Sequence, residues 1–220
     1  ALSEVKVITR RKAKKKPNDS QKMGYLGNKS SRQYELLALG ASTGGPEALR
    51  YIFERLHADF PAPIVVVQHM AKNFLPGLVA WLQQNSALNF QIAENRSVLQ
   101  AGTVYFAPDN YHLHVALVKE KLYSTLVDSS VTDAFKPSVT ELFSSIARSL
   151  PGKAMAGLMT GMGRDGASGL LEMYKQDCGT FIQDKESSVV YGMPAAALKE
   201  QATKEVIALE DIPSYLIRNM

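Results

Sequence analysis

The sequence predicts a doubly wound α/β fold built on a mostly parallel sheet, and three observations carry that reading. Apolar, strand-like runs alternate with segments of helical periodicity along most of the chain. Ile64-Val65-Val66-Val67 is continuously apolar and β-branched, as in a central parallel strand covered on both faces. Two apolar runs break off at glycine-rich turns, Gly40-Ala41-Ser42-Thr43-Gly44-Gly45 and Gly161-Met162-Gly163-Arg164-Asp165-Gly166, as strands feeding helices do.

The elements follow in order. Leu36 to Leu39 is a short strand, and Pro46 to Leu56 an amphipathic helix whose first position suits a proline lacking an N–H. After the strand at Ile64, Asn73 to Gln84 is helical with Pro76 in its first turn. Phe90 to Ala93 and Thr103 to Ala107 are short strands. His112 to Val118 and Lys121 to Val127 alternate around Lys119-Glu120, an antiparallel hairpin expected to extend the sheet. Pro137 to Leu150 carries a stripe of Val139, Leu142, Phe143, Ile146 and Leu150, the face of a core helix. Ala154 to Thr160 is the next strand, Gly166 to Gln176 a helix and Thr180 to Gln183 a strand. Tyr191-Gly192-Met193-Pro194 is a turn before the helix Ala195 to Lys199. A last strand at Val206 to Leu209 and a helix at Ile212 to Met220 close a three-layer, Rossmann-like arrangement.

At 220 residues and 45% hydrophobic content the chain has enough apolar mass for one sizeable core. Residues 1 to 36 hold ten lysines and arginines against three acids, leaving fifteen bases against eighteen acids in the rest. The net charge of +4 therefore comes from the N-terminal stretch. Residues 1 to 32 read as a basic, solvated linker and residues 33 to 220 as the folded domain. The run Arg10 to Lys16 has no interleaved aromatics, which argues against a nucleic-acid partner. No run approaches the roughly 20 apolar residues that cross a bilayer, so no membrane insertion and a cytoplasmic location are expected. Cys178 is the only cysteine, read as a free structural thiol.

Three strand ends deliver a serine, a histidine and an aspartate. Ser42 lies in the first glycine turn, His69 directly follows the strand Ile64 to Val67, and Asp165 lies in the later glycine turn. Parallel strands joined by right-handed crossovers put their carboxyl ends on one edge, so the three side chains are expected to meet there. Serine as nucleophile, histidine as general base and aspartate as its orienting partner make a triad that needs no cofactor or metal. Plainer roles exist for each: Ser42 as a helix cap, His69 as a strand-end structural histidine, Asp165 as the N-cap of the helix at Gly166. His57, His112 and His114, on a helix end and the hairpin, are read as structural or surface groups without metal-ligand spacing. The rival reading makes the first glycine turn a phosphate cradle of a nucleotide-binding module. Ser42 then stands where bare backbone must approach a pyrophosphate, and Gln68-His69 stands where an acid is expected.

Together, Gly40-Ala41-Ser42-Thr43-Gly44-Gly45, Gln68-His69-Met70, Ala107-Pro108, Pro137-Ser138-Val139, Thr160 to Gly166 and Tyr191-Gly192-Met193-Pro194 resemble the catalytic domain of the chemotaxis protein-glutamate methylesterases, the CheB family. The resemblance spans roughly Glu35 to the C-terminus. It implies Ser42 as nucleophile, His69 as base, Asp165 as the orienting acid, and Thr43 with the Met162 backbone N–H at the oxyanion. It implies hydrolysis of glutamyl methyl esters, with deamidation of glutamine, on chemoreceptor cytoplasmic helices in bacterial chemotaxis adaptation. Tyr191 to Pro194 and the hairpin near His112 are the expected substrate contacts. It further implies a phosphoacceptor receiver domain, absent from this chain, served by an upstream histidine kinase and joined through residues 1 to 32; the isolated domain is then expected to be constitutively active. One departure stands out: Phe135-Lys136 precedes Pro137 where many relatives carry a histidine in the first of these positions, which removes a polar role there. A non-catalytic module that binds a receptor helix is the remaining alternative.

Overall fold

Alternation of side chains along β1 (Leu36–Ala41) sets the layering of the molecule. A computed structural model describes residues 34–128 and 135–220. Every residue of β1 is buried. Leu37, Leu39 and Ala41 face one side and Leu36 and Ala38 the other, and each side is roofed by helices. The chain continues through α1 (Gly45–Phe53), β2 (Ile64–Gln68), α2 (Leu75–Gln84), β3 (Asn89–Ile92) and β4 (Thr103–Phe106). The hairpin β5 (His112–Val118) and β6 (Lys121–Val127) follows, then α3 (Val139–Ser149) and β7 (Ala154–Leu158). After these come α4 (Ala167–Lys175), β8 (Gly179–Gln183), α5 (Met193–Lys199), β9 (Glu205–Ile207) and α6 (Ile212–Asn219).

Seven strands form one sheet in the order β3-β4-β2-β1-β7-β8-β9, and every pair in it is parallel. The chain first builds outwards from β1 through β2, then returns to the other side at β7. The strand at the centre of the sheet is therefore flanked by the reversal of winding, where open α/β sheets place their ligands. On one face α1, α2 and α6 pack Leu49, Ile52, Phe53, Leu78, Leu82 and Leu216 onto the sheet. On the other, Leu142, Phe143 and Ile146 of α3, with Leu170 and Met173 of α4, cover Val65, Val67 and Ala156.

The hairpin departs from expectation. Its strands pair antiparallel with each other but form a separate two-stranded sheet instead of extending the main one. Leu113, Val115 and Leu122 are the reason: they turn into the core beside α3, so the hairpin lies on the helical layer, not at a sheet edge. Smaller differences concern ends. The strand expected over Ala154 to Thr160 stops at Leu158, the final strand lies at Glu205–Ile207, and α5 begins at Met193, inside the expected turn. His57 lies beyond the end of α1 at Phe53 instead of on a helix end. The linker assigned to residues 1 to 32 falls outside the described residues. Cys178 is a free, buried thiol whose Sγ donates to the Leu150 carbonyl at 3.5 Å, and burial pushes its pKa up. No helix among the described residues is long and apolar enough to cross a membrane.

Candidate active site

The pairing of the two central strands puts Ser42 beside His69. Ala41 and Gln68, the last residues of β1 and β2, stand opposite one another, so the next residue of each chain leaves the same edge together. The His69 N–H still donates to the Ala41 carbonyl at 2.9 Å. On the other flank the Ser42 N–H donates to Thr160 O at 3.0 Å, tying the serine to the end of β7. Buried Gln68 then staples the two turns: its Nε2 donates to Ser42 O at 2.9 Å and to His69 O at 2.8 Å.

Ser42 does not cap α1. The N-cap is Gly44, held at φ +81° and without a side-chain cap bond, and Pro46 occupies the first turn. The glycines that suggested a phosphate cradle serve internal packing: a Cβ on Gly44 would stand 2.6 Å from Cβ of Val189, and one on Gly45 would collide with Gln68. That disfavours the nucleotide reading and leaves the serine hydroxyl unused by the helix.

His69 meets Asp165 through Nε2, 2.9 Å from Oδ2, with their side chains 10% and 8% exposed. The contact is close in distance without the alignment of an ideal N–H donor; the distance governs the electrostatics, and the remaining partners of the carboxylate fix it there. Nδ1 is buried and without a hydrogen-bond partner among the described residues.

Asp165 arrives from the far side of β1, in the loop after β7. What carries it across is the start of α3: the carboxylate accepts from Ser138 Oγ at 2.9 Å, Val139 N–H at 2.7 Å and Thr140 N–H at 3.0 Å. It therefore occupies the positive end of a helix to which it does not belong. Burial pushes its pKa up, but the His69 contact and the donors of Thr140 and Val139 outweigh that and hold the carboxyl well below the usual carboxylate range. Nor is Asp165 the N-cap of α4; Gly166, at φ +92°, takes that place and donates its N–H to Thr140 Oγ1 at 2.8 Å.

Ser138 and Gln68 are the supports that reading of the sequence left without a role. A signal for Ser138 existed: Ser138-Val139-Thr140-Glu141 has the serine-to-glutamate spacing of a capping box, and the Glu141 N–H indeed donates to Ser138 Oγ at 3.3 Å. His112, only 1% exposed, accepts the Ser138 N–H on Nδ1 at 3.3 Å. It is a buried support of α3, as expected of a structural histidine, and not a surface contact for a substrate. His114 pairs with Glu141 at 3.0 Å.

Around Ser42 the expected oxyanion residues lie on two turns. Thr43 is exposed, and its carbonyl accepts from Thr160 Oγ1 at 2.9 Å. Met162 is 68% exposed and follows Gly161, where an added Cβ would stand 2.7 Å from Cβ of Ser42. The second turn is thus pressed against the serine because residue 161 lacks a side chain. The start of the Tyr191 to Pro194 segment pins it: Gly161 O accepts from the N–H groups of Gly192 and Met193 at 3.0 and 2.9 Å. Among the described residues no group of three or more His, Cys, Asp or Glu is placed to hold a metal ion.

The sequence pattern of the CheB methylesterases matches residues 37–216, which span nearly the whole described domain. The chain belongs to the CheB methylesterase family. The CheB methylesterase catalytic domain of Thermotoga maritima superposes with a TM-score of 0.81 at 34% identity, covering 84% of this chain and 98% of that one. The chain is 41% identical to protein-glutamate methylesterase/protein-glutamine glutaminase 2 of Vibrio vulnificus over 85% of its own length and 54% of the relative's. It is 39% identical to the Nitrosospira multiformis protein-glutamate methylesterase/protein-glutamine glutaminase over 98% of its own length and 60% of the relative's. This CheB-family chain thus spans 54% and 60% of the length of these two relatives.

Proposed function

We propose that this chain is a serine esterase that hydrolyses glutamyl methyl esters, and deamidates glutamine, on the cytoplasmic helices of chemoreceptors during chemotaxis adaptation. The observation that carries it is the adjacent exit of Ser42 and His69 from paired strands, with Asp165 2.9 Å behind the imidazole. The names of the relatives supply the substrate class.

Ser42 Oγ attacks the ester carbonyl while His69 Nδ1 takes its proton, and the carbonyl electrons move onto oxygen. Asp165, kept ionised by the start of α3, stabilises the imidazolium and fixes the tautomer. The N–H of Met162 and the turn at Thr43 stabilise the oxyanion, whose collapse expels methoxide. His69 returns the proton to give methanol and an acyl-Ser42. Water, deprotonated by the same histidine, then releases glutamate. An amide substrate loses ammonia by the same steps.

A receiver domain, driven by an upstream histidine kinase, belongs to the same reading as the regulator of this site, and the reaction takes place in the cytoplasm. A full-length protein with its receiver unphosphorylated then releases methanol more slowly than residues 1–220 alone. The central test is methanol release from methylated receptor membranes by this chain and by Ser42→Ala. Release that disappears in the variant is expected. Equal release from both would remove Ser42 from the chemistry, and none from either folded protein would remove the substrate assignment.

A further inference from the structure

Contact with Asp165 at one ring nitrogen leaves one freedom of His69 unrestrained. Rotation about the Cβ–Cγ bond of a histidine is broad and roughly two-fold, so a single partner at Nε2 fixes a distance better than it fixes a plane. Something must hold the imidazole face. Phe135 lies on it: the two rings are 4.6 Å apart at their centroids and 10° from parallel.

Three features make this more than an incidental contact. Phe135 lies on the chain close to the residues that hold Asp165, since Ser138, three residues on, is fixed by His112 and by the carboxylate itself. One short stretch of chain, residues 135–140, thus reaches His69 twice, through Asp165 at the ring edge and directly at the ring face. Phe135 is also 43% exposed, so its ring stands between the face of the largely buried imidazole and solvent. Finally, the imidazole becomes cationic during the reaction, and a phenyl face favours a cation above it.

We propose that Phe135 is a positioning residue for His69: it locks the imidazole in the plane that presents Nδ1 to Ser42 and keeps water from the ring face. The inference rests on the assignment of His69 as the general base. A stack that steadies the ring and favours the imidazolium is expected to carry about threefold to twentyfold in rate.

The test compares the whole chain with Phe135→Leu, which keeps bulk without a π face, Phe135→Ala and Phe135→Tyr. In proton NMR the His69 ring resonances, identified by their loss in His69→Gln, are expected upfield under the phenyl ring current. They should move downfield in Phe135→Leu and stay near their original position in Phe135→Tyr. In methanol release, kcat should fall about threefold to twentyfold in Phe135→Leu and Phe135→Ala at nearly constant KM, with Phe135→Tyr restoring most of it. Ring resonances unmoved by Phe135→Leu, an unchanged kcat, or a change confined to KM would each overturn the proposal, the last by making Phe135 a substrate contact. A wild-type chain without esterase activity would sink the esterase reading alone, because the NMR arm decides the hold on His69 without substrate.

Discussion

The two sides of β1 place their functional groups by different means. Towards β2, Ser42 and His69 are set by main-chain register, Ala41 opposite Gln68, and by a backbone bond from His69 to Ala41. Towards β7 and α3, Asp165 is set by the Ser138 hydroxyl and the first-turn N–H groups of Val139 and Thr140. Backbone pairing is indifferent to which side chain each residue carries, whereas a carboxylate held by named donors depends on each of them. Changes on the first side should therefore act on chemistry with the geometry kept. Those on the second should be graded and shared between rate and stability.

The largest effects test that division directly. On the proposed mechanism His69→Gln removes the general base from a position the backbone still defines, and kcat should fall on the order of a millionfold. Asp165→Asn leaves the base in place but its orientation and charge partner impaired, and should cost roughly ten-thousandfold. Steady-state methanol release ranks the two. An asparagine variant as damaged as the glutamine one would mean that Asp165 does more than orient His69, and the two sides would no longer be distinguishable by chemistry.

Gly161→Ala attacks the seam between the two sides. Its methyl group would stand 2.7 Å from Cβ of Ser42 and collide with Met193, so Ser42 or the Met162 turn must move. A displacement near an ångström at a nucleophile costs about a hundredfold in rate. Near-normal kcat in a folded Gly161→Ala would show that the turn relaxes away from the serine.

How much of this was legible in the sequence follows the same division. The β1–β2 side was readable because its determinants are local: apolar runs ending in Gly40 to Gly45 and in Gln68-His69 say where strands stop, and parallel crossover rules say which ends share an edge. That Asp165 joins them followed from the same rule. What holds it there did not, because the contact with α3 bridges about 25 residues of chain and depends on how α3 docks against the sheet. Ser138 carried a visible capping signal, yet nothing local says that the capped helix would also receive an aspartate from another loop. The hairpin was misplaced for a related reason. Alternation in His112 to Val127 identifies strands, but the side they pack against is decided by Leu113, Val115 and Leu122 meeting α3.

Gln68→Leu sharpens the comparison from the register side. It removes both staple bonds, to Ser42 O and His69 O, from a buried site. Stability should fall by about 1–3 kcal/mol for the carbonyls left without that donor. If register places the pair, kcat in the remaining folded protein should fall by less than about tenfold. A hundredfold loss with unchanged stability, from urea unfolding beside the activity assay, would show that the side chain and not the pairing sets the distance between Ser42 and His69.

Ser138→Ala is the smallest perturbation and the most informative about the other side. It removes the cap of α3 and one donor to Asp165, at about 0.5–2 kcal/mol of stability. Its signature lies in pH. The folded-state pKa of Asp165 is held below the ordinary value near 3.9, so its contribution to stability is fully present above about pH 4 and is lost as pH falls through that region towards the folded value. With Ser138 gone the folded pKa rises towards the ordinary one, and less stability remains to be lost on acidification. Urea unfolding between pH 7 and pH 3 should therefore give the steepest decline for the wild type, a shallower one for Ser138→Ala and the shallowest for Asp165→Asn. Parallel declines in all three would mean that the charge of Asp165 is not stabilised by the helix it touches, and the contrast between a register-built and a charge-built half of the site would lose its electrostatic basis.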